Sequence, residues 1–175
     1  MVRRDVRALL AVVIGVFWSA SLYAQDRSLT LTEIWNGQST PAGLQSIRSL
    51  PDGGHFTILE KNAAVNAMEI NKYDYASGRK TGVIFSSSNY PELTGIFDYE
   101  LSPDEQKLLI KTQRRAQYRH SYFAQHFLYD LIDKTLVKIE GPDLQEVTFS
   151  PDGKYLAFVR SNNLYYWIIS EQKRV

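Results

Sequence analysis

The chain has 175 residues, no cysteine, and 20 Lys and Arg residues against 19 Asp and Glu residues, which gives a formal net charge of +1. This balance argues against nucleic acid as a partner, because domains that bind phosphate backbones carry a clear basic excess. The absence of cysteine excludes disulfides, thiolate metal sites and a cysteine nucleophile. Hydrophobic residues make up 44% of the chain and Tyr occurs 11 times, so a packed, strand-rich core is expected.

The N-terminus has the basic, apolar and small-residue order of a signal peptide. Three arginines precede an uncharged apolar stretch at residues 8–18, and cleavage is predicted after Ala24. Residues 1–24 are therefore predicted to be a signal peptide, and the protein is predicted to be exported, either periplasmic or secreted. The alternative is an uncleaved membrane anchor formed by residues 8–24, whose length approaches a membrane span. If the signal is cleaved, no stable membrane span is expected.

Three Pro-Asp pairs preceded by Leu or Ser recur at near-constant spacing in the rest of the chain, and their aspartates, Asp52, Asp104 and Asp152, are spaced by 52 and then 48 residues. Proline sets φ near the value that a tight turn needs, and an aspartate side chain accepts hydrogen bonds from nearby backbone. Apolar, strand-like runs flank each pair. Each repeat is therefore predicted to open with a β-hairpin.

A second hairpin is predicted in each repeat, with turns at residues 76–78, 133–134 and 170–172. Two hairpins supply four antiparallel strands about every fifty residues, which is the layout of a β-propeller blade. The apolar run at residues 156–159 favours the same interpretation, because a strand sandwiched between neighbouring blades needs apolar residues on both faces. An unrelated antiparallel β-sandwich is the alternative fold.

The predicted fold class is all-β, with about three four-stranded antiparallel blades of an incomplete propeller after the signal peptide. Residues 25–175 are predicted to form this partial N-terminal propeller domain. The predicted blades lie at approximately 44–85, 96–139 and 144–175. Propellers usually contain four to eight blades, so the sequence is expected to be the front part of a longer protein.

Motifs that carry chemistry are absent from this sequence. It contains no G-x-S-x-G nucleophile elbow, phosphate loop, dinucleotide fingerprint or H-E-x-x-H pair. The three histidines, His55, His120 and His126, have no accompanying pattern of acidic ligands. We therefore expect no metal, no cofactor and no catalytic residue within this chain.

One basic segment, residues 111–120, is predicted to be a long link between the two hairpins of the second blade. Long loops on a rigid scaffold often carry binding residues. One of its arginines would then clamp a carboxylate or a carbonyl group. The other interpretation is a solvated, mobile connection, and composition alone leaves both open.

The sequence Tyr118-Arg119-His120-Ser121-Tyr122, followed by Leu-Tyr-Asp-Leu at residues 128–131, resembles the N-terminal propeller of the dipeptidyl peptidase IV family, bacterial type. These proteins are serine exopeptidases of the prolyl oligopeptidase clan. Segments at residues 45–53, 73–79 and 149–163 extend the resemblance over nearly all of the mature chain. The Arg-His-Ser-Tyr element is its specific part, because Pro-Asp-Gly turns also occur in other periplasmic propellers.

The resemblance implies an eight-bladed propeller that caps an α/β-hydrolase domain, commonly in a homodimer. It implies release of N-terminal dipeptides that have Pro or Ala in second position. Arg119 matches the family arginine that hydrogen-bonds a backbone carbonyl of the bound peptide, so the N-terminus of a peptide substrate is the expected partner. The family's paired glutamates and catalytic triad would lie beyond Val175, so this chain alone is expected to be inactive.

Two alternatives to a peptidase propeller stay open at this point. The first is a non-catalytic periplasmic β-propeller that serves as a protein-binding scaffold. The second is an independent small β-sandwich binding module. Neither has a reason to keep the Arg-His-Ser-Tyr element, and whether the whole protein is an enzyme is left uncertain by these residues.

Overall fold

The structure, a computed structural model, describes residues 30–37, 46–119 and 121–174. The chain divides into two compact units, Met1–Ala42 and Gly43–Val175. The predicted signal peptide, residues 1–24, lies outside the described residues. The division of the chain into a signal peptide and a propeller domain therefore stays a prediction.

In the first unit the structure describes one short helix, α1 (Leu31–Trp35). The hydroxyl of Thr30 accepts a hydrogen bond from the Glu33 N–H at 3.2 Å, and the Glu33 carboxylate accepts one from the Thr30 N–H at 3.0 Å. This reciprocal arrangement is a capping box, which satisfies two donors that a helix start leaves free. No helix in the described ranges is long and apolar enough to cross a membrane.

The described part of the second unit consists of antiparallel strands with one short 3-10 helix at Ser87–Asn89. In chain order the strands are β1 (Arg48–Ser49), β2 (His55–Asn62), β3 (Ala67–Asp74), β4 (Lys80–Ser86), β5 (Ile96–Leu101), β6 (Lys107–Ala116), β7 (Tyr122–Asp130), β8 (Leu136–Phe149), β9 (Tyr155–Arg160), β10 (Asn163–Ile168) and β11 (Lys173–Arg174).

Sheet order follows chain order throughout this unit. Strands β1 to β4 form one sheet, and β5 to β11 form a second. The long strand β8 is divided between two neighbouring strands, because residues 136–139 and Leu144 pair with β7 whereas residues 145–149 pair with β9. The described strands therefore make three four-stranded antiparallel blades, and the predicted fold class is confirmed.

The three Pro-Asp turns share one geometry. In each turn the aspartate carboxylate accepts a hydrogen bond from the backbone N–H two residues later: Asp52 from Gly54 at 2.9 Å, Asp104 from Gln106 at 3.1 Å and Asp152 from Lys154 at 3.1 Å. The residue after each aspartate has positive φ: +66° at Gly53, +57° at Glu105 and +70° at Gly153. Glycine meets this requirement without strain in two of the three repeats, so local sequence explains these turns.

Two hydrophobic cores lie between successive blades. The first joins β2, β3 and β4 to β5, β6 and β7, and the second joins β6 and β7 to β8, β9 and β10. Strand β6 contributes to both, because Leu108 and Ile110 pack in the first core and Leu109 packs in the second. Side chains alternate across a strand, so an apolar run at successive positions is what a strand between two blades requires.

Strand β9 differs from β6 in this respect. Leu156 and Phe158 are buried in the second core, whereas Ala157 and Val159 are only partly buried. Among the described residues no sheet covers this other face of the third blade. The apolar run at residues 156–159 is thus one-sided here.

Polar contacts also join the blades. The Thr57 and Tyr99 hydroxyl groups lie 2.6 Å apart in the first core, and burial raises the pKa of Tyr99 to about 12. The Arg48 guanidinium donates to the Asp98 carboxylate at 2.8 Å, which links the first blade to the second. The Thr148 hydroxyl donates to Glu100 at 3.0 Å and links the second blade to the third.

The prediction that residues 111–120 link the two hairpins of the second blade is wrong in its extent. Strand β6 continues to Ala116 and β7 begins at Tyr122, so the connection spans only residues 117–121. The residues from Gln113 to Ala116 are exposed and carry no apolar alternation that would predict a strand. Pairing with β7 holds these residues in an extended conformation, which their amino-acid composition alone does not predict.

Candidate functional site

The candidate site is the end of the β6–β7 hairpin, residues 113–121, which we call the hairpin end. A β-bulge separates it from the body of the blade, because the pairing register shifts between Thr112 and Arg115. At this bulge Gln113 has a φ of +52°, and its N–H donates to the Gly95 carbonyl at 3.2 Å. Bulges increase local twist and re-aim the side chains that follow them.

The turn of the hairpin end is narrow. The N–H groups of Gln117 and Tyr118 donate to the Ser121 carbonyl at 3.0 Å and 3.3 Å. Arg119 lies inside this turn and is exposed, and its side chain makes no hydrogen bond or ion pair with the residues that the structure describes. His120 lies outside the described residues. A guanidinium in this position has its donors available for a ligand.

The predicted role of Arg119 as a substrate-binding residue is not tested by this geometry and stays a prediction. The structure does separate Arg119 from the other arginines of the segment. Arg114 and Arg115 are occupied by contacts within the protein, and these contacts were not predictable from the sequence.

Arg114 contacts aromatic rings of two strands. Its guanidinium carbon lies 5.0 Å from the centre of the Tyr122 ring and 5.8 Å from that of Phe97. The two rings meet edge to face with their centres 5.3 Å apart. Cation–π contacts of this kind are worth about 0.5–1 kcal/mol at exposed sites, so Arg114 stabilises one side of the hairpin end.

Arg115 contacts the crossover, residues 140–145, which leads β8 from the second blade to the third. Its guanidinium forms an ion pair with Asp143 and lies 4.5 Å from the centre of the Phe123 ring. Beside it, the Gln145 amide donates to the Gln117 side-chain carbonyl. These contacts join the hairpin end to a segment that is remote in sequence.

A groove lies next to this ion pair, between β7 and the crossover. Its lining includes Arg115 and Lys138 as bases and Glu140 and Asp143 as acids, with Phe123 on one wall. Both charge signs are present and Arg115 already pairs with Asp143. Because its lining carries both charge signs, the groove favours neither an anionic nor a cationic ligand.

The histidines of the described residues have separate environments. His126 is 1% exposed, and burial together with the neighbouring Lys111 lowers the pKa of its imidazole to about 4. Its Nδ1 has no hydrogen-bond partner among the described residues. His55 instead lies with its Nδ1 2.7 Å from the Asp52 carboxylate. Within the described ranges no group of three or more His, Cys, Asp or Glu residues could hold a metal ion.

The sheet order, the repeated turns and the hydrophobic cores between successive blades place the chain among β-propeller proteins, as a run of three blades in the described residues. Residues 102–175 match the family model described as the dipeptidyl peptidase IV N-terminal region. The resemblance predicted from the sequence is confirmed, and the chain is related to the N-terminal propeller region of the dipeptidyl peptidase IV family.

Individual relatives support this relationship. The chain is 37% identical over 84 residues to dipeptidyl peptidase 4 of Trichophyton rubrum and 36% identical over 84 residues to that of Arthroderma otae. Among solved structures it is similar to Porphyromonas gingivalis dipeptidyl peptidase 4, with a TM-score of 0.70 and 34% identity over 86% of this chain. A Bacteroides ovatus structure, with a TM-score of 0.51 and 15% identity over 75% of this chain, shares the fold.

The chain is short compared with these proteins. The alignments to the two fungal enzymes cover 46% of this chain and 11% of each relative. The chain covers 22% of the Porphyromonas gingivalis structure and 22% of the Bacteroides ovatus structure. What the comparisons show is therefore the relationship of one region.

Proposed function

We propose that this chain is the N-terminal propeller region of a dipeptidyl peptidase IV-like serine exopeptidase. Within that enzyme the region would help to gate and position the substrate, and it would supply no catalytic residue. Arg119 would bind a backbone carbonyl of the N-terminal dipeptide, and a planar guanidinium with several donors suits this role. The match of residues 102–175 to the dipeptidyl peptidase IV N-terminal region carries the proposal.

The geometry of the hairpin end supports the role of Arg119. A turn closed by two backbone hydrogen bonds presents the residue at the surface, away from the aromatic rings that contact Arg114 and the carboxylate that pairs with Arg115. Since Arg119 has no ion-pair partner among the described residues, it gives up no such contact there when it binds a ligand. A carbonyl oxygen is a neutral acceptor, so no counter-charge is required in the peptide.

The remaining parts of the proposal follow from the family. The substrates would be peptides with Pro or Ala in second position, and the products would be their N-terminal dipeptides. The complete protein would be an exported homodimer. Acyl transfer requires a nucleophile and its base, so the proposal requires a hydrolase domain encoded downstream of Val175.

The test is the substitution Arg119→Ala in a complete enzyme that carries this propeller. We expect kcat/KM for dipeptide-releasing substrates to fall more than tenfold, equivalent to about 1.4 kcal/mol of lost transition-state stabilisation. The loss is expected because the peptide's register depends on this contact. Steady-state kinetics with a chromogenic dipeptide substrate measures it.

The matched control is Arg79→Ala, which removes an exposed arginine from the turn between β3 and β4. Its kcat/KM should stay at the wild-type value. If Arg119→Ala is as active as Arg79→Ala, Arg119 does not bind the substrate. If the downstream coding sequence lacks a G-x-S-x-G element, the peptidase proposal fails, and a non-catalytic binding scaffold becomes the better interpretation.

A further inference from the structure

We propose that Arg115 and Asp143 are positioning residues that hold Arg119 in place through the hairpin end. The inference rests on the proposed function for the role of Arg119, but its structural part stands without it. Neither residue would touch the substrate. Their ion pair would fix the position of a loop that the hydrophobic core does not hold.

Burial cannot hold the hairpin end. The residues from Gln113 to Arg119 are all exposed, whereas Thr112, directly before them, is fully buried. Hydrophobic stabilisation scales with the apolar area removed from water, so it stops at the bulge. Beyond that point the two strands pair only between Arg115 and Phe123 and between Ala116 and Tyr122. A hairpin with so little pairing is at best marginally stable alone.

Side-chain contacts on two sides stabilise the hairpin end in place of a hydrophobic core. On one side Arg114 lies against the rings of Tyr122 and Phe97. Tyr122 belongs to the hairpin itself, so this contact ties the hairpin end mainly to its own blade. The contact limits twisting of the two strands, but it reaches nothing outside the second blade.

On the other side, the hairpin end contacts the crossover. The Arg115 guanidinium pairs with Asp143, and Gln117 pairs with Gln145 two residues further along. Two contacts at matching spacing align the hairpin end along the crossover. The Arg115 side chain also covers the Phe123 ring at 4.5 Å, which restricts the guanidinium to one direction. Arg119 lies two residues beyond the second contact, so the crossover sets its distance from the third blade.

The crossover backbone is itself shaped for this contact. Asp143 has a φ of +54°, in the left-handed region that aspartate tolerates better than most residues. Before it, Gly141 has a φ of +143°, and a Cβ there would lie 2.9 Å from a Leu144 methyl group. The backbone turns at these two residues just before Leu144 enters the second core. The buried Leu144 thus anchors the segment that presents Asp143.

The experiment measures the loop and the activity separately. Amide hydrogen exchange of residues 117–121 is compared between wild type, Asp143→Ala and Asp143→Asn. We expect exchange in Asp143→Ala to be about three- to fivefold faster, the upper end of what an exposed ion pair supports, with partial rescue in Asp143→Asn. The control Asp133→Ala removes an exposed carboxylate from the turn between β7 and β8. It should leave exchange unchanged.

Catalysis is then measured as a double-mutant cycle in the complete enzyme. Asp143→Ala should lower kcat/KM about three- to fivefold in the wild-type background and should have no further effect on Arg119→Ala, because coupled residues are not additive. Additive losses, or unchanged exchange in Asp143→Ala, would overturn the inference. Faster exchange with full activity in both Asp143→Ala and Arg119→Ala would instead overturn the role proposed for Arg119.

Discussion

The body and the end of the β6–β7 hairpin belong to the same two strands but are stabilised in different ways. In the body, Leu108, Leu109 and Ile110 are completely buried between two neighbouring blades. Beyond the bulge every residue to Arg119 is exposed, and cation–π contacts, one ion pair and hydrogen bonds supply the contacts. The body of the hairpin is thus stabilised by burial between blades, whereas the hairpin end is stabilised by exposed side-chain contacts.

This difference separates stability from binding. Changes in the body should alter the free energy of unfolding, because they remove buried apolar area. Changes in the end should alter the position of Arg119 with little effect on unfolding, because exposed ion pairs contribute little.

The largest effect is expected for Leu109→Ala. The side chain is 0% exposed and packs in the second core, so its loss leaves a cavity between two blades. We expect a destabilisation of about 2–5 kcal/mol, measured as a shift in the denaturant midpoint. The control Leu164→Ala removes a side chain that is 76% exposed, and it should change stability by less than about 0.5 kcal/mol. Equal effects of the two substitutions would contradict a closely packed core at Leu109.

The next effect is pH-dependent and concerns His126, which lies opposite Lys111 on the neighbouring strand. Its folded-state pKa is lowered from 6.5 to about 4, so between these values the unfolded chain binds the extra proton. Its stabilising contribution is complete above pH 6.5 and is lost as the pH falls to 4. The difference corresponds to about 3 kcal/mol.

His126→Phe should remove this dependence. As the pH falls from 6.5 to 4, the free energy of unfolding of the variant should therefore rise relative to that of the wild type. Urea unfolding at a series of pH values measures it, and subtraction of the two curves cancels the carboxylates that titrate in both proteins. A parallel pair of curves for wild type and His126→Phe would show that His126 is not buried in its neutral form.

The smallest effect is expected for Arg114→Ala. The loss of its contacts with Tyr122 and Phe97 should lower the free energy of local opening of the hairpin end by about 0.5–1 kcal/mol. Amide exchange at residues 117–121 should become faster while the denaturant midpoint of the whole protein stays unchanged. A shift of the midpoint as large as that of Leu109→Ala would mean that the end and the body are not energetically separate.

Much of this architecture is predictable from local sequence. The Pro-Asp turns, their regular spacing and the flanking apolar runs predict the hairpins because each turn is closed by atoms two to five residues apart. The resemblance that centres on Arg-His-Ser-Tyr predicts the family, which the comparisons confirm. The apolar run at residues 156–159 predicts a strand covered on both faces, whereas in the described residues Leu108, Leu109 and Ile110 have this environment.

The hairpin end was not predictable in the same way. The sequence of residues 111–120 is rich in exposed charge, and local composition does not reveal that β6 extends to Ala116. Pairing with β7 decides that extension. The family resemblance singles out Arg119, but nothing in the local sequence predicts that Arg114 lies on aromatic rings and that Arg115 pairs with Asp143.

The sequence by itself therefore determined the repeats, the turn chemistry and the relationship to dipeptidyl peptidase IV, because each depends on residues close together in the chain. Only the tertiary structure decided which side chains are buried between blades, how β8 is divided between two of them, and what holds the hairpin end. Those features depend on contacts between residues that are remote in sequence. Arg115 and Asp143 are 28 residues apart, and only the crossover from one blade to the next brings them together.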